Sequence, residues 1–319
     1  MAATGQTIAA APPQEGLRSK LRSASTGFWF MSPALLLVIV FFFIPSIIIF
    51  GLSLTNLSTA TGFQNWDWIG FKNYEKIFNH PSTKTIAQAT IIYVVATLTL
   101  FNVGMALLVA LLSTHIPKRA GFVFRTLWLL PRITPSVVYI MMWKFMSAAE
   151  PYGILNRYLP FLFDGKNLLP NSPWVFVILT NGFVGASFGM ILFASAIESI
   201  PKDYMMAAMV DGCNIWHRIR YVILPALRWP LLFVTTYQTL SLLTSFEQIL
   251  LLTDGEFGTE VWSLWAYHRA LNNYWGNFQW GFGAALAVIM VVIGVVAAVA
   301  YMRFFQFDEL VQEPRIEAL

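Results

Sequence analysis

The sequence predicts an all-α membrane protein with six transmembrane helices, and three observations predict it. Hydrophobic residues fill 57% of the 319 positions and charged residues only 11%, about half the charged share of a soluble domain. Apolar runs of the roughly 20 residues needed to cross a bilayer recur along the whole chain. Lys and Arg gather in alternate connections between those runs, which fixes an orientation.

The elements follow in order. Residues 1–17 are rich in Ala, Pro, Thr and Gln, and Arg18, Lys20 and Arg22 come next. Such a composition buries too little apolar surface to fold, so 1–25 is expected to be a disordered cytoplasmic tail. The first apolar run, Phe28 to Leu54, is longer than the apolar part of a signal peptide and lacks a small-residue cleavage site, which makes it an uncleaved span. Pro33 marks its start and Pro45 a kink. A polar loop, Asn56 to Lys84, leads to the second span, Ile86–Ser113; a basic turn with His115, Lys118 and Arg119 leads to the third, Phe122–Met146, with Pro131 and Pro135 inside it. After a loop containing Tyr152 and Asn156 the fourth span runs Trp174–Ile197. The fifth covers Leu231–Thr253, the loop Asp254–Asn277 follows, and the sixth is Phe282–Phe305. The chain therefore reads as one six-span domain, 26–308, closed by a second cytoplasmic tail, 309–319. No internal repeat is visible.

The connection from Ile200 to Trp229 stands apart. A link between two spans needs only a handful of residues, and this one is several times longer. Asp203 after Pro201 is placed to N-cap a helix over Tyr204–Val210. Asp211-Gly212 breaks it, because Gly enters the left-handed conformation at low steric cost. Ile215, Trp216, Ile219 and Val222/Ile223 recur at helical spacing, which predicts a second helix over Asn214–Ile223, ended by Pro225 and Pro230.

Ala207-Ala208, three residues, Gly212, nine residues, and then Val222-x-Leu224-Pro225 resembles the "EAA" loop of binding-protein-dependent ABC importer permeases. Ile200-Pro201 and Asp211 match the sugar-permease version, whereas Met206 stands where that family usually has Glu. The segment Trp66–Tyr74 is similar to the family's "GxxNY" stretch, and Arg125, Leu129-Leu130-Pro131-Arg132-Ile133-Thr134-Pro135 and Trp143 extend the likeness, which covers about residues 25–305. The resemblance implies a type I ABC importer permease fold with cytoplasmic coupling helices between spans four and five. It implies that Met206, Ala207, Ala208, Asp211, Gly212, Trp216, Leu224 and Pro225 meet an ATPase subunit. It further implies a complex in a bacterial inner membrane: a second homologous permease subunit, two ATPase subunits and an extracytoplasmic solute-binding protein. ATP and Mg would sit on the ATPases, with no cofactor in this chain and no catalysis by it. The cargo would be a sugar or sugar derivative.

Orientation can be counted. With both termini cytoplasmic, Arg18, Lys20, Arg22, Lys118, Arg119, Arg125, Lys202, Arg218, Arg220, Arg228, Arg303 and Arg315 face inward, and Lys72, Lys76, Lys84, Arg157, Lys166 and Arg269 face outward. Twelve against six favours that topology and puts the 200–229 connection in the cytoplasm. Arg132 and Lys144 remain inside span three.

Other functions are excluded by what the chain lacks. His80, His115, His217 and His268 fall in separate loops without metal-ligand spacing. No Ser sits in a GxSxG turn, since the one match to that spacing, Gly185–Gly189, lies within the fourth apolar run, and there is no GxxxxGK[ST] phosphate loop. Lone Cys213 rules out an internal disulfide framework. The net charge of +4 is not clustered into a nucleic-acid-binding face. Spans four and five instead carry amides and hydroxyls that lipid would not tolerate singly; each one alone is equally explained as glue between helices, but the stretch together suggests a lined pathway. By the resemblance, a sugar pocket would draw on Asn181, Val184, Gly185 and Phe188 of span four, and on Gln238, Ser241, Leu242 and Ser245 of span five. Amides and hydroxyls bond ring OH groups, and aromatic faces stack on the sugar. Arg132, Lys144 and Glu247 lie at membrane depth, where an ionisable residue points to function. The alternative is a proton- or sodium-coupled secondary transporter, which needs intramembrane carboxylates or broken-helix ion sites; only Glu247 qualifies as such a carboxylate, and no inverted repeat is evident.

Overall fold

The computed structural model describes residues 17–149, 151–158, 168–272 and 276–305. The expected tail 309–319, most of the expected tail 1–25, and Lys166 and Arg315 of the charge count lie outside them. Every regular element among the described residues is helical, and the only approach to a sheet among them is one antiparallel bridge, Thr55 to Trp68. Among the described residues, four helices are long and apolar enough to cross a bilayer: Phe28–Ser53, Thr83–His115, Pro173–Ser199 and Trp280–Phe304. They correspond to the first, second, fourth and sixth predicted runs. The chain divides into two units, one reaching Gly51 and the other starting at Leu52.

In the first unit, helix α1 begins at Leu17, ahead of the apolar run. It comprises Leu17–Val38, a π-helical turn Ile39–Phe43, and Ile44–Ser53. The π-turn falls directly before Pro45, which has no N–H to give the preceding turn. The expected kink site is therefore taken up by a local widening, and the Ser46 hydroxyl donates to the Phe42 carbonyl there at 2.6 Å.

The second unit opens with α2 (Lys72–Asn79). Asn73 is buried and its amide donates to the carbonyls of Ser53 and Thr55, each at 2.8 Å. Tyr74 shares a 2.7 Å hydrogen bond with the Ser53 hydroxyl. The "GxxNY" segment thus closes off carbonyls at a helix end, which otherwise lack partners. Helix α3 (Thr83–His115) widens into π geometry over Thr97–Met105. It packs on helix α6 (Pro173–Ser199). Gly182, Gly185 and Gly189 form the contact stripe: a Cβ on Gly182 would strike the Phe101 ring, one on Gly185 the Asn102 amide, and one on Gly189 would lie 2.6 Å from the Asn102 carbonyl. Small residues let two helix backbones approach this closely.

The third and fifth predicted runs are each split. The third is α4 (Lys118–Ile133) and α5 (Ser136–Met146), separated by extended Thr134 and Pro135. Proline drives the residue before it out of the helical region, so Pro135 breaks the run while Pro131 stays within α4. The fifth run is α9 (Arg228–Thr244) and α10 (Glu247–Leu252), separated at Ser245 and Phe246. No proline acts there. The Thr244 hydroxyl donates to the Leu240 and Ser241 carbonyls, and the Ser263 hydroxyl takes up the Ser245 carbonyl at 3.0 Å, so the broken backbone is repartnered by side chains.

Between α6 and α9 come α7 (Lys202–Val210) and α8 (Ile215–Arg218). Two local expectations are corrected. Asp203 lies inside α7 and makes no cap; Pro201 occupies the N-cap position. Pro225 and Pro230 do not end the second helix. After α8 the helix continues through a π-turn, Ile219–Ile223, that precedes Pro225 as the π-turn of α1 precedes Pro45, and runs on to Ala226; Pro230 sits in the first turn of α9, where its missing N–H is not needed. The loop expected over Asp254–Asn277 contains a helix, α11 (Trp262–Ala270). Its Trp262 indole donates to the Leu286 carbonyl of α12 (Trp280–Phe304) at 3.0 Å, and the Trp262 N–H donates to the Thr90 hydroxyl at 2.8 Å. Bonding its polar group lets that bulky side chain be buried, together with Trp265, Phe282 and Leu286.

Candidate functional site

Two features stand out: a polar cavity where the broken helices meet, and the exposed face of the connection between α6 and α9.

The cavity encloses ≈ 300 Å³. Helix α6 lends Asn181, Val184 and Gly185; α9 and the break after it lend Gln238, Ser241, Leu242 and Ser245; Gln248 adds an amide from α10. Seven of the eight residues expected in the pocket are thus brought together. Phe188, the eighth, does not line it but packs beside it, under the Arg132 guanidinium at 5.4 Å and stacked on Tyr237 at 4.7 Å. The broken α4–α5 run contributes Arg132, Thr134, Ser136 and Tyr139. The two breaks touch: the Ser136 hydroxyl donates to Glu247 Oε1 at 2.5 Å.

The polar lining is held in place. The Asn181 amide donates to the Tyr93 hydroxyl, and Gln238 Nε2 donates to the Gly185 carbonyl at 2.9 Å. The Ser245 hydroxyl donates to Gln248 Oε1. Asn102, almost wholly buried in the π-turn of α3, has a carboxamide oxygen with no hydrogen-bond partner among the described residues. A buried unpaired acceptor is uncommon and often marks a functional position. Asn102 went unremarked in the sequence, although an amide within so apolar a run is a signal. Thr134, Ser136 and Tyr139 were also missed, because the third run reads as continuous until its proline break is seen. Of the three ionisable residues expected at membrane depth, only Arg132 lines the cavity. Lys144 borders a different cleft, with Leu169, Leu250 and Asp254.

The connection has two sides. Its inner side is apolar and buried: Ile223 and Leu227 join Phe193, Ala194 and Ile197, with Met205 and Ile219 packed against them. Ala208 is buried as well. The outer side exposes Tyr204, Met206, Met209, Val210 and Trp216. Gly212 turns the chain between the two helices at φ +77°. The Cys213 N–H donates to the Ala208 carbonyl at 2.9 Å, and the Gly212 N–H to the Met209 carbonyl at 3.1 Å; this is the Schellman pair that closes a helix through a left-handed residue. Asn214 caps α8 by accepting from the His217 N–H at 2.9 Å. Among the expected coupling residues, Met206, Ala207, Asp211, Gly212, Trp216 and Pro225 lie exposed on this connection, Leu224 is half-buried and Ala208 faces inward.

These features describe a helical membrane protein with a polar cavity at its helix breaks and an apolar, exposed connection. The chain belongs to the family of binding-protein-dependent transport system inner membrane components, whose model matches residues 102–306. It is similar to a probable ABC transporter permease protein YesP of Bacillus subtilis (29% identical, covering 89% of this chain and 92% of that protein). It is similar to the lactose transport system permease protein LacF of Rhizobium radiobacter (26%; 89% and 94%) and to the trehalose/maltose transport system permease protein MalF of Thermococcus litoralis (25%; 90% and 96%). Its fold matches a chain in the crystal structure of a bacterial ABC transporter involved in the import of the acidic polysaccharide alginate, with a TM-score of 0.74, 22% identity and coverage of 90% and 98%. The protein is therefore a multi-pass membrane subunit of a binding-protein-dependent ABC importer and not an enzyme. Membership in this family sets aside the ion-coupled alternative.

Proposed function

We propose that the chain translocates a sugar or sugar derivative through a pathway shared with a second, homologous permease subunit. The observation that carries this reading is the ≈ 300 Å³ cavity walled by carboxamides and hydroxyls; such groups match sugar OH groups in both donor and acceptor roles, and the volume is at the small end for ligand sites. The names of the lactose and trehalose/maltose relatives support it. In this reading α1, α3, α4 with α5, α6, α9 with α10, and α12 make six spans with both termini cytoplasmic, as the Lys/Arg count favours. Helices α7 and α8 are the coupling helices. Two ATPase subunits hold ATP and Mg and press on the outer face of the connection, and a solute-binding protein delivers cargo from outside. Closure of the ATPases opens the cavity outward, and hydrolysis resets it.

The test is uptake by proteoliposomes holding the whole complex, with binding protein outside and ATP inside, against a panel of labelled mono- and oligosaccharides. One class of saccharide should accumulate in an ATP-dependent way. Asn181→Ala and Gln238→Ala should each lower uptake at limiting substrate about three- to tenfold, the range of a lost hydrogen bond, with assembly intact. ATP-dependent accumulation of a non-saccharide alone, or unchanged uptake in both variants, refutes the reading.

A further inference from the structure

Arg132 is the one charged side chain among the residues lining the cavity. It sits on the last turn of α4, immediately before the Thr134-Pro135 break, with its guanidinium over the Phe188 ring. No carboxylate among the described residues lies within ion-pair distance of it: the ion pairs are Arg125 with Glu198, and His268 with Asp254 and Glu260. Glu247, the carboxylate at the facing break, is engaged by the Ser136 hydroxyl instead. Everything else in the lining is neutral. A guanidinium at membrane depth is retained only where water, a partner group or a ligand answers its charge, and its planar fork is shaped to grip a carboxylate through two parallel hydrogen bonds.

We propose that the solute carries a carboxylate, as in a uronic-acid sugar, and that Arg132 is the cavity residue that selects it. This rests on the sugar-permease reading above and narrows its substrate class. Charge balance favours a carboxylate over a phosphate ester. One guanidinium neutralises one negative charge, whereas a phosphate monoester brings nearly two and would leave the excess facing Glu247. Asn181, Gln238 and Asn102 then serve the neutral hydroxyls, and Phe188 holds the guanidinium in place from behind. Because stacking and bidentate bonding both depend on the planar fork, lysine would replace arginine only in part.

The experiment uses the full complex in proteoliposomes and matched pairs of oligosaccharides: an oligouronide and the same oligomer with each carboxyl reduced to the neutral hexose. Wild type should take up the uronide at least tenfold faster than its neutral partner. Arg132→Gln should lose that preference by about tenfold, while copurification with the second permease and the ATPases stays as in wild type; Arg132→Lys should recover part of it. Equal uptake of the two members, or an Arg132→Gln preference identical to wild type, overturns the proposal while leaving the sugar reading standing. Loss of the second permease from the Arg132→Gln complex, with the preference unchanged, shows that the arginine answers a charge on that subunit, and overturns it too. If neither member of any pair is transported while another class of solute is, the sugar reading fails and this proposal with it.

Discussion

Changing Gly212 tests the proposed coupling role of the 200–229 connection apart from the fold that carries it. The residue adopts φ +77°, and a Cβ built on it meets nothing within 4 Å. A side chain there therefore faces no clash within the chain, only the left-handed backbone penalty of about 1–2 kcal/mol. Asn, which tolerates that region best after Gly, should give up less. Against a total stability of about 5–15 kcal/mol for a typical domain, neither change should unfold the protein, and no residue in contact with lipid is altered. The expected damage is at the docking face, where Met206, Met209, Val210 and Trp216 surround the turn and a charged side chain would be pressed against an apolar partner surface. Gly212→Asp should thus abolish transport, by releasing the ATPases or by leaving them bound but uncoupled, whereas Gly212→Asn should retain most of it. Trp216→Ala, at an exposed position, should leave the isolated subunit's melting point within the small range of a surface change. If Trp216 is a docking anchor, the same substitution should weaken ATPase retention by about 2 kcal/mol, roughly thirtyfold. Met206→Glu, which installs the residue usual in EAA loops, should be tolerated. The assay is copurification of the ATPases, ATP turnover and uptake, with the melting temperature of the free subunit as control. Normal transport by Gly212→Asp with ATPases bound would show that this connection does not couple.

Gly189→Val should be destabilising by about 1–3 kcal/mol or more, because even its Cβ would stand 2.6 Å from the Asn102 backbone carbonyl and 2.8 Å from the Ala106 side chain; a normal detergent melting curve would refute the tight α3–α6 approach. His268 bonds Glu260 at 3.3 Å through Nδ1 and Asp254 at 3.0 Å through Nε2, and these carboxylates, Glu260 first, raise its pKa above the usual 6.5 against the opposing pull of burial. A raised folded-state pKa gives stabilisation that is full below about pH 6.5 and fades as pH climbs through the raised value. The melting-temperature gap between wild type and His268→Gln should accordingly shrink from about pH 6 to about pH 9, and a constant gap would count against the charged triad. In a Cys213→Ser background, single cysteines at Lys118 or Arg218 should react with an impermeant thiol reagent only from the cytoplasmic side, and one at Lys72 only from outside; outside labelling at Arg218 would invert the proposed topology.

What the sequence made legible was whatever depends on runs and spacing. Three of the six apolar runs are single helices within a few residues of both predicted ends, and the first matches at its far end while its helix starts earlier, at Leu17; length and hydropathy alone decide them. The Gly212 turn was legible because only glycine fits it cheaply. Seven of the eight pocket residues came together because the resemblance aligned two helices that do pack side by side. What failed was local competition between backbone and side chain. Pro135 reads as lying inside a continuous span, yet it displaces Thr134 into an extended conformation and ends a helix. The break at Ser245 has no sequence flag, because it depends on Ser263, 18 residues away, accepting responsibility for one carbonyl. Asp203 has the right chemistry for a cap but falls two positions too late, after Pro201 has already taken the N-cap position. Asn102 was passed over because hydropathy averages dilute one amide among leucines and valines.

The two breaks explain why a cavity forms where it does. An unbroken apolar helix offers lipid or its neighbour a closed surface, with every backbone group bonded inside. Interrupting α4–α5 at Thr134-Pro135 and α9–α10 at Ser245-Phe246 frees backbone groups and brings short polar side chains to the same place, as the Ser136–Glu247 hydrogen bond records. Irregular backbone at this depth is tolerable only against protein or a water-filled space, so the polar residues and the hole imply each other. The widened turn of α3 adds Asn102 from the third side, pressed against the glycine stripe of α6. Continuity then runs down α6: the helix that supplies Asn181 and Gly185 to the cavity also supplies Phe193, Ala194 and Ile197 to the cluster that seats Ile223 and Leu227 beneath the exposed connection. If the connection docks the ATPases as proposed, a push on Trp216 and Met206 would reach α6 through these packed side chains, with α9 leaving the same connection to form the opposite wall.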